Sequence, residues 1–368
     1  MSDTLLYRIA FASVRGMGVD LARKMLDVLP DERAYFDMSE QELRRLTGST
    51  ARMCGTAYRR SLLERAEREL QFIADKNVHV SYFTDPTFPR RLLETPDAPV
   101  VLYRSGECDL NAAHVVSIVG TRHATPYGIG LCNELVRDLG AALPGLVVVS
   151  GLAYGIDIAA HRAAVKHQMP TVAVLAQGLN KIYPALHRRD AVEIVRLGGA
   201  VVTDYTSQDE IHKGNFLARN RIIAALSDCT IVVESAPTGG ALVTASLAQS
   251  YNRDVMAVPG RVNDEFSRGC NKLIGSNRAQ SITCASDVMD TMRWEGTVAA
   301  APPQGEIFPA LNAQEQAVAN LLRQHGEQHI NQLADALSLP VYRLMSVLVD
   351  LDCRGVIVTR PGCRYAMR

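Results

Sequence analysis

The hydrophobic positions of this chain follow three regimes. Over the first 75 residues apolar side chains recur at helical spacing. Leu5, Leu6, Ile9 and Ala10 begin one face, and Leu21, Met25 and Leu26 continue one after a break. Leu62 to Ile73 adds an amphipathic helix with its charges outward. The break is Val14-Arg15-Gly16-Met17-Gly18-Val19. Two glycines at this spacing read either as the turn of a helix-hairpin-helix, whose backbone can bind phosphate, or as a plain turn between helices. Residues 77–83 alternate like a strand, Asp85-Pro86-Thr87-Phe88-Pro89 is a proline-punctuated loop, and Val100-Val101-Leu102-Tyr103 is a short strand.

From about Val115 the pattern becomes strand, loop, helix, repeated. Short β-branched runs cover residues 115–119, 146–149, 171–175, 200–203, 230–233 and 254–258, with helix-length segments between them. Buried runs alternating with helices predict an α/β, Rossmann-like, doubly wound parallel sheet, which binds ligands at the carboxyl ends of its strands. The third regime begins with Ala299-Ala300-Ala301-Pro302-Pro303, a linker composition. Helices over 311–324, 330–337 and 341–351, then a hairpin over 355–365 with Pro361-Gly362 at its turn, predict a winged helix. The expected division is a helical front (1–75), an extended Rossmann-like domain (76–290), a linker (291–308) and a winged helix (309–368).

Four segments carry candidate chemistry. In Ile118-Val119-Gly120-Thr121-Arg122 the glycine permits a sharp turn after the strand. A helix starting near Pro126 points its N–H groups back at the loop, and Arg122 can grip a phosphate bidentately. A simple strand-to-helix turn stays open as the other reading. In Ser150-Gly151-Leu152-Ala153-Tyr154-Gly155-Ile156-Asp157 small residues let a ligand approach the backbone. Asp157 can cap the next helix, with His161 four residues on. No Gly-x-Ser-x-Gly elbow is present, so Asp157 and His161 read as buttresses of the loop.

The third segment runs from Lys213 to Ile223. Lys213 and Arg219 suit phosphates, and Phe216 offers a stacking face, the combination used by single-strand binders. A solvated helix start with Phe216 in the core is the alternative. Arg221 reads as a buttress paired with a carboxylate. In the fourth, Glu234 to Ala241, the pair Gly239-Gly240 before a helix forms an anion-ready nest. Glu234 reads either as a catalytic carboxylate or, preferably, as a partner of Arg219 or Arg221.

Composition narrows the classes. Apolar residues make 47% and charged residues 21% of the 368, and the net charge is +0, so nucleic-acid contact must come from a local patch. The eight cysteines include no Cys-x-x-Cys pair, which predicts reduced core thiols rather than a disulfide framework or zinc site. The start lacks a signal-peptide pattern and no run is long enough to span a membrane, so a cytoplasmic location is expected.

The ordered set of segments resembles the DprA/Smf family of DNA-processing proteins. Beyond the motifs above it includes Gly178-Leu179-Asn180-Lys181-Ile182-Tyr183-Pro184, Ala218-Arg219-Asn220-Arg221, Ala257-Val258-Pro259-Gly260 and Gly269-Cys270-Asn271-Lys272-Leu273-Ile274. The helical front and the winged helix also look like the family's flanking domains. The resemblance implies a basic pocket for single-stranded DNA and a homodimer that helps load the RecA recombinase during natural transformation. It implies no catalysis, cofactor or metal. It places the DNA-contacting arginine on Arg122, and the lysine and aromatic on Lys213 and Phe216.

The expected strand-contacting set is therefore Gly120, Thr121, Arg122, Ser150, Gly151, Ala153, Lys213, Asn215, Phe216, Arg219, Gly239 and Gly240. Asp157, His161, Asn220, Arg221 and Glu234 are expected to support the pocket. The chain departs from the family pattern at Thr203-Asp204 and at His187, which keep small polar or acidic character, and at Leu217-Ala218, which leaves the path into the pocket open. A nucleotide hydrolase of the phosphoribohydrolase type is the enzymatic alternative, but Pro237-Thr238-Gly239-Gly240-Ala241 lacks that group's final Gly-Thr and following acid. A transcription factor is disfavoured because the helix over 341–351 carries Arg343 but also Asp350, with Asp352 next. The apolar Leu273-Ile274 pair reads as a dimer contact or, preferably, as part of a core helix.

Overall fold

A computed structural model describes residues 3–295, 311–354 and 356–367 of the chain. They form two compact units, one within residues 1–298 and one within 299–368. Most of the expected linker, including Ala299-Ala300-Ala301-Pro302-Pro303, lies outside the described residues. Its first residues belong to the sheet unit: the helix Ala285–Met292 runs to its end there, and the Trp294 ring packs on His114 at 4.8 Å.

The strands of the first unit are β1 (His79–Tyr82), β2 (Val101–Gly106), β3 (Val115–Val119), β4 (Val147–Ser150), β5 (Thr171–Val174), β6 (Ala200–Thr203), β7 (Cys229–Val232), β8 (Asp254–Ala257) and β9 (Gln280–Ser281). They form one sheet in the order β1-β2-β6-β5-β4-β3-β7-β8-β9. From β6 to β9 every pairing is parallel, while β1 and β2 add antiparallel strands at one edge. The parallel strands read as continuous apolar runs because both faces are covered. In β4, Val147 and Val149 enter one core and Val148 the other. The two-residue β9 carries too little pattern for sequence reading to reveal.

Direction of winding reverses at β3, which has β4 on one side and β7 on the other. The Thr121 N–H donates to the Glu234 carbonyl at 2.7 Å and so ties the ends of β3 and β7 together. Such a switch point leaves a crevice beyond the carboxyl ends. The helices Pro126–Ala142 and Ile156–Lys166 cover one face near it, and Lys213–Leu226 and Gly240–Ser250 cover the other.

The helical front shares the sheet's core. Ile9, Phe11, Tyr35 and Leu43 belong to one buried cluster with Leu102, Val174 and Ile222. Its long helix Thr56–Lys76 docks on the loop after β6. There the Glu69 carboxylate accepts from Ser207 N and Oγ at 2.9 and 2.5 Å, and Arg65 meets Asp209 at 2.8 Å. Residues 1–75 are thus one flank of a common unit. Leu273 is 3% exposed in the helix Arg268–Gly275, which makes that segment a core helix.

In the second unit the helices Ala313–His325, Ile330–Leu337 and Val341–Cys353 pack on a sheet of β10 (Gln328–His329), β11 (Ile357–Arg360) and β12 (Arg364–Met367) in the order β10-β12-β11. This is the expected winged helix with one extra short strand. Tyr342, Met345 and Val349 are exposed on its third helix.

Candidate nucleic-acid interface

The crevice at the switch point holds a cavity of about 290 Å3. Its walls come from the loop after β3 (Gly120, Thr121, Arg122), from Ala153 and Asp157, from the helix Lys213–Leu226, and from the Gly239-Gly240 turn. Backbone fit sets this geometry. A Cβ on Gly120 would fall 2.5 Å from the Ile156 side chain, and one on Gly155, at φ +75°, would fall 2.1 Å from the Thr121 carbonyl oxygen. The two loops touch only because both positions are glycine. Two helices, Ile156–Lys166 and Gly240–Ser250, begin beside the cavity with glycine N-caps. The Ile156 and Ile158 N–H groups already donate to the Thr121 and Ala153 carbonyls at 3.1 Å, so the open end is that of Gly240–Ser250, whose Gly240 and Ala241 N–H groups have no backbone partner among the described residues and, with the dipole, favour an anion.

Arg122 is exposed at the cavity mouth, and its side chain makes no hydrogen bond among the described residues. Its guanidinium lies over the Phe216 ring at 5.8 Å, and Phe216 meets the Tyr183 ring at 5.4 Å and 59°. Phe216 is half-buried and Tyr183 is 49% exposed, so a cation and two aromatic faces share one mouth. Asn220, expected only as support, lines the cavity at 9% exposure, with no hydrogen-bond partner for its side chain among the described residues. Its amide is free for a ligand.

Several expected contacts turn inward. Ser150 is fully buried, and its hydroxyl donates to the Ile118 carbonyl at 2.6 Å. Gly151 lies beneath the cavity, where a Cβ would fall 2.0 Å from Arg219 Nη1. Arg219, expected to meet phosphate, is 4% exposed in the cavity lining, and its Nη1 donates to the Gly151 and Val174 carbonyls, each at 2.6 Å. Burial lowers its guanidinium to about 10, against the pull of Asp157, and it stays charged at neutral pH. Asn215 turns away from the cavity and donates to the Glu210 carbonyl at 3.1 Å. Lys213 opens its helix as an exposed residue outside the cavity lining.

The supports also sort differently. Asp157 does not cap its helix, because Gly155 takes that position; it occupies the cavity floor beside Arg219. Burial raises its carboxyl, while Arg219, the Ala153 N–H, Arg122 and the Gly151 N–H oppose the shift. His161 is fully buried away from the cavity, 2.8 Å from Thr171 Oγ1, which itself donates to the Val148 carbonyl at 2.7 Å. The imidazole Nδ1 is therefore the donor, and burial lowers the ring to about 3. Glu234 pairs with neither arginine. It accepts from Thr125 N at 2.9 Å and Thr125 Oγ1 at 2.5 Å, fixing the start of the helix Pro126–Ala142. Arg221 does pair with a carboxylate, Asp204, and also donates to the Asp97 carbonyl, on the side facing the helical front.

Tyr183 escaped the expected site although its Tyr183-Pro184 motif was noted, because nothing in its local spacing shows that residues 183 and 216 meet. Among the described residues no group of three or more His, Cys, Asp or Glu is placed to hold a metal ion. Seven described cysteines are free thiols, five of them buried. No described helix is long and apolar enough to cross a membrane.

Known proteins are similar to this chain in sequence and fold. A model of the family described as DNA recombination-mediator protein A matches residues 79–293, and one of the DprA winged helix domain matches 299–363. Protein Smf from Synechocystis is 32% identical over 323 residues, covering 77% of this chain and 79% of the relative. The X-ray structure of DNA processing protein A from Streptococcus pneumoniae superposes with a TM-score of 0.64 at 29% identity, covering 79% of this chain and 98% of that one. DNA processing protein A from Helicobacter pylori, described for its unique single-stranded DNA binding mode, gives a TM-score of 0.52 at 30% identity over 58% of this chain and 96% of that one. The chain belongs to the DNA recombination-mediator protein A family, the DprA/Smf proteins.

Proposed function

We propose that this protein binds single-stranded DNA at the switch-point cavity and, as a cytoplasmic homodimer, helps load RecA onto that strand during natural transformation, without catalysis of its own. The observation that carries the reading is the meeting of Arg122, Phe216 and Tyr183 at the mouth of a cavity that the start of the helix Gly240–Ser250 lines. The arginine neutralises a phosphate, the aromatic faces stack on a base, and the free Asn220 amide bonds a base edge or a sugar. Duplex should bind worse because its bases are already stacked on one another. The likeness to the Helicobacter pylori protein supports the same ligand.

Fluorescence anisotropy with single- and double-stranded oligonucleotides across a salt series tests this. Arg122→Ala and Lys213→Ala should each weaken single-strand binding and flatten its salt dependence, the slope falling by about 0.7 for each phosphate left without its cation. Unchanged affinity in both variants overturns the placement. Sedimentation velocity reads the dimer, whose second pocket would raise avidity. RecA filament growth on an oligonucleotide, with and without the protein, reads loading.

Asp157, a carboxyl raised by burial on the cavity floor, is the observation that favours the nucleotide-hydrolase reading. Release of free base from nucleoside monophosphates, abolished in Asp157→Asn, would establish it in place of a non-catalytic role.

A further inference from the structure

A second, larger cavity of about 620 Å3 opens between the helical front and the sheet, within the roughly 300–1,000 Å3 range of small-molecule sites. Its two walls differ chemically. On the helical side stands the Gly16-Met17-Gly18 turn before the helix Val19–Leu26. The Gly16 and Gly18 N–H groups have no backbone partner among the described residues, and the helix behind them adds the positive end of its dipole. On the sheet side lie the carboxylates of Asp97, Asp204, Asp209 and Glu210. The two arginines that face the cavity are already engaged, Arg65 with Asp209 at 2.8 Å and Arg221 with Asp204. One wall therefore suits an anion and the other a hydrogen-bond donor.

Tyr103 provides the independent sign of a ligand. It is 3% exposed, lines this cavity, and its hydroxyl makes no hydrogen bond among the described residues. Burial, reinforced by Glu69, Asp209 and Asp204, holds the phenol well above its ordinary value. It therefore remains a neutral hydroxyl that can donate and accept. The residue is buried, but its hydroxyl has no protein partner among the described residues, so its hydrogen bonds must come from whatever fills the cavity it lines. Beside it Asn215 uses its side-chain N–H on the Glu210 carbonyl, which leaves its Oδ1 as a free acceptor on the same cavity.

We propose that this cavity binds one nucleotide unit whose base carries an exocyclic amine, with its phosphate on the Gly16–Gly18 turn and its amine edge toward Tyr103, Asn215 and the carboxylates. Adenine, cytosine and guanine present such an amine. Thymine lacks the amine: a carbonyl oxygen stands on each side of its single N3–H, so the carboxylates should disfavour it. The site is distinct from the switch-point cavity and does not rest on the strand reading. The unit comes either from a bound strand or from a free mononucleotide, and the two sources separate by experiment.

Thermal unfolding of the full chain with dAMP, dCMP, dGMP or dTMP is the first arm, and binding of dC and dT oligomers of equal length is the second. The first three mononucleotides should raise the melting temperature and dTMP should not. Tyr103→Phe removes only a hydroxyl without a partner among the described residues, so the free variant should melt no lower than the parent. It should bind the amine-bearing ligands about five- to tenfold more weakly. Arg122→Ala, which alters the other cavity, should leave these shifts in place. A Tyr103-dependent preference for dC over dT oligomers alone assigns the site to the strand, and a Tyr103-dependent shift with mononucleotides alone assigns it to a free effector. Equal effects of dTMP and the others, no effect of Tyr103→Phe in either arm, or loss of the shifts in Arg122→Ala overturns the proposal.

Discussion

Arg122 stands exposed at the mouth of the switch-point cavity, over the ring of Phe216, with its donors unused. Arg219, on the same cavity, is 4% exposed, and its Nη1 donates to two backbone carbonyls. The mouth and the floor come from the same short motifs, but they have different duties. A cation serves a ligand only while its donors are unsatisfied by the chain. Once buried near Asp157 and bonded to carbonyls, it holds the loop in shape. Much of a motif in this fold is therefore scaffold, and what stays free for the proposed ligand is a small remainder: Arg122, Phe216, Tyr183 and the start of the helix Gly240–Ser250.

The contrast is sharpest under mutation. Arg219→Ala should cost the most, about 3–5 kcal/mol of stability, because it removes the charge that offsets the buried Asp157 and leaves two carbonyls without their donor. Chemical denaturation measures it, and a change below about 1 kcal/mol would mean that the floor is not built as described. Gly155→Ala comes next, at about 1–3 kcal/mol or more, since φ is +75° and the Cβ meets Thr121. Its control is Gly240→Ala, where nothing lies within 4 Å, which should change stability by less than about 0.5 kcal/mol. At the mouth the effects should move from folding to binding. Phe216→Leu keeps an apolar side chain but removes the stacking face, and should weaken single-strand binding by about 1–3 kcal/mol with little change in melting temperature. Equal affinities of parent and variant would remove Phe216 from the interface.

The smallest test concerns pH. Burial holds the folded His161 at about 3, well below its ordinary value. Above about pH 6.5 the group contributes nothing to pH dependence. As pH falls from there toward 3, the unfolded chain takes up a proton that the folded imidazole refuses. Stability then declines with a slope approaching about 1.4 kcal/mol per pH unit. Asp157, raised by burial, acts with the opposite sign, because the folded state keeps its proton to higher pH. Unfolding of the parent and of His161→Asn at stepped pH isolates the histidine, whose part is absent if the two slopes agree.

The backbone plan was legible because its signals are local. β-branched runs buried on both faces and glycines at strand ends announce a parallel sheet with phosphate-sized loops, and all six expected strands of the repeating region stand within a residue or so of their places. The winged helix was legible for the same reason. The expected site was less so. Ser150, Arg219 and Asn215 looked like ligand groups by residue type, yet their neighbours in space consume or redirect them.

The amino-acid order alone determined which segments become strands and helices, where the chain turns sharply, and that a loop bearing Arg122 follows one of those strands. These features depend on residues a few positions apart. Only the tertiary structure decided which side chains line the cavity and which are consumed by neighbours. It set Tyr183 against Phe216, gave Glu234 to Thr125 and Arg221 to Asp204, and closed a second cavity around Tyr103. Burial and the competition for hydrogen-bond partners are settled between residues tens to more than a hundred positions apart, and no local pattern records them.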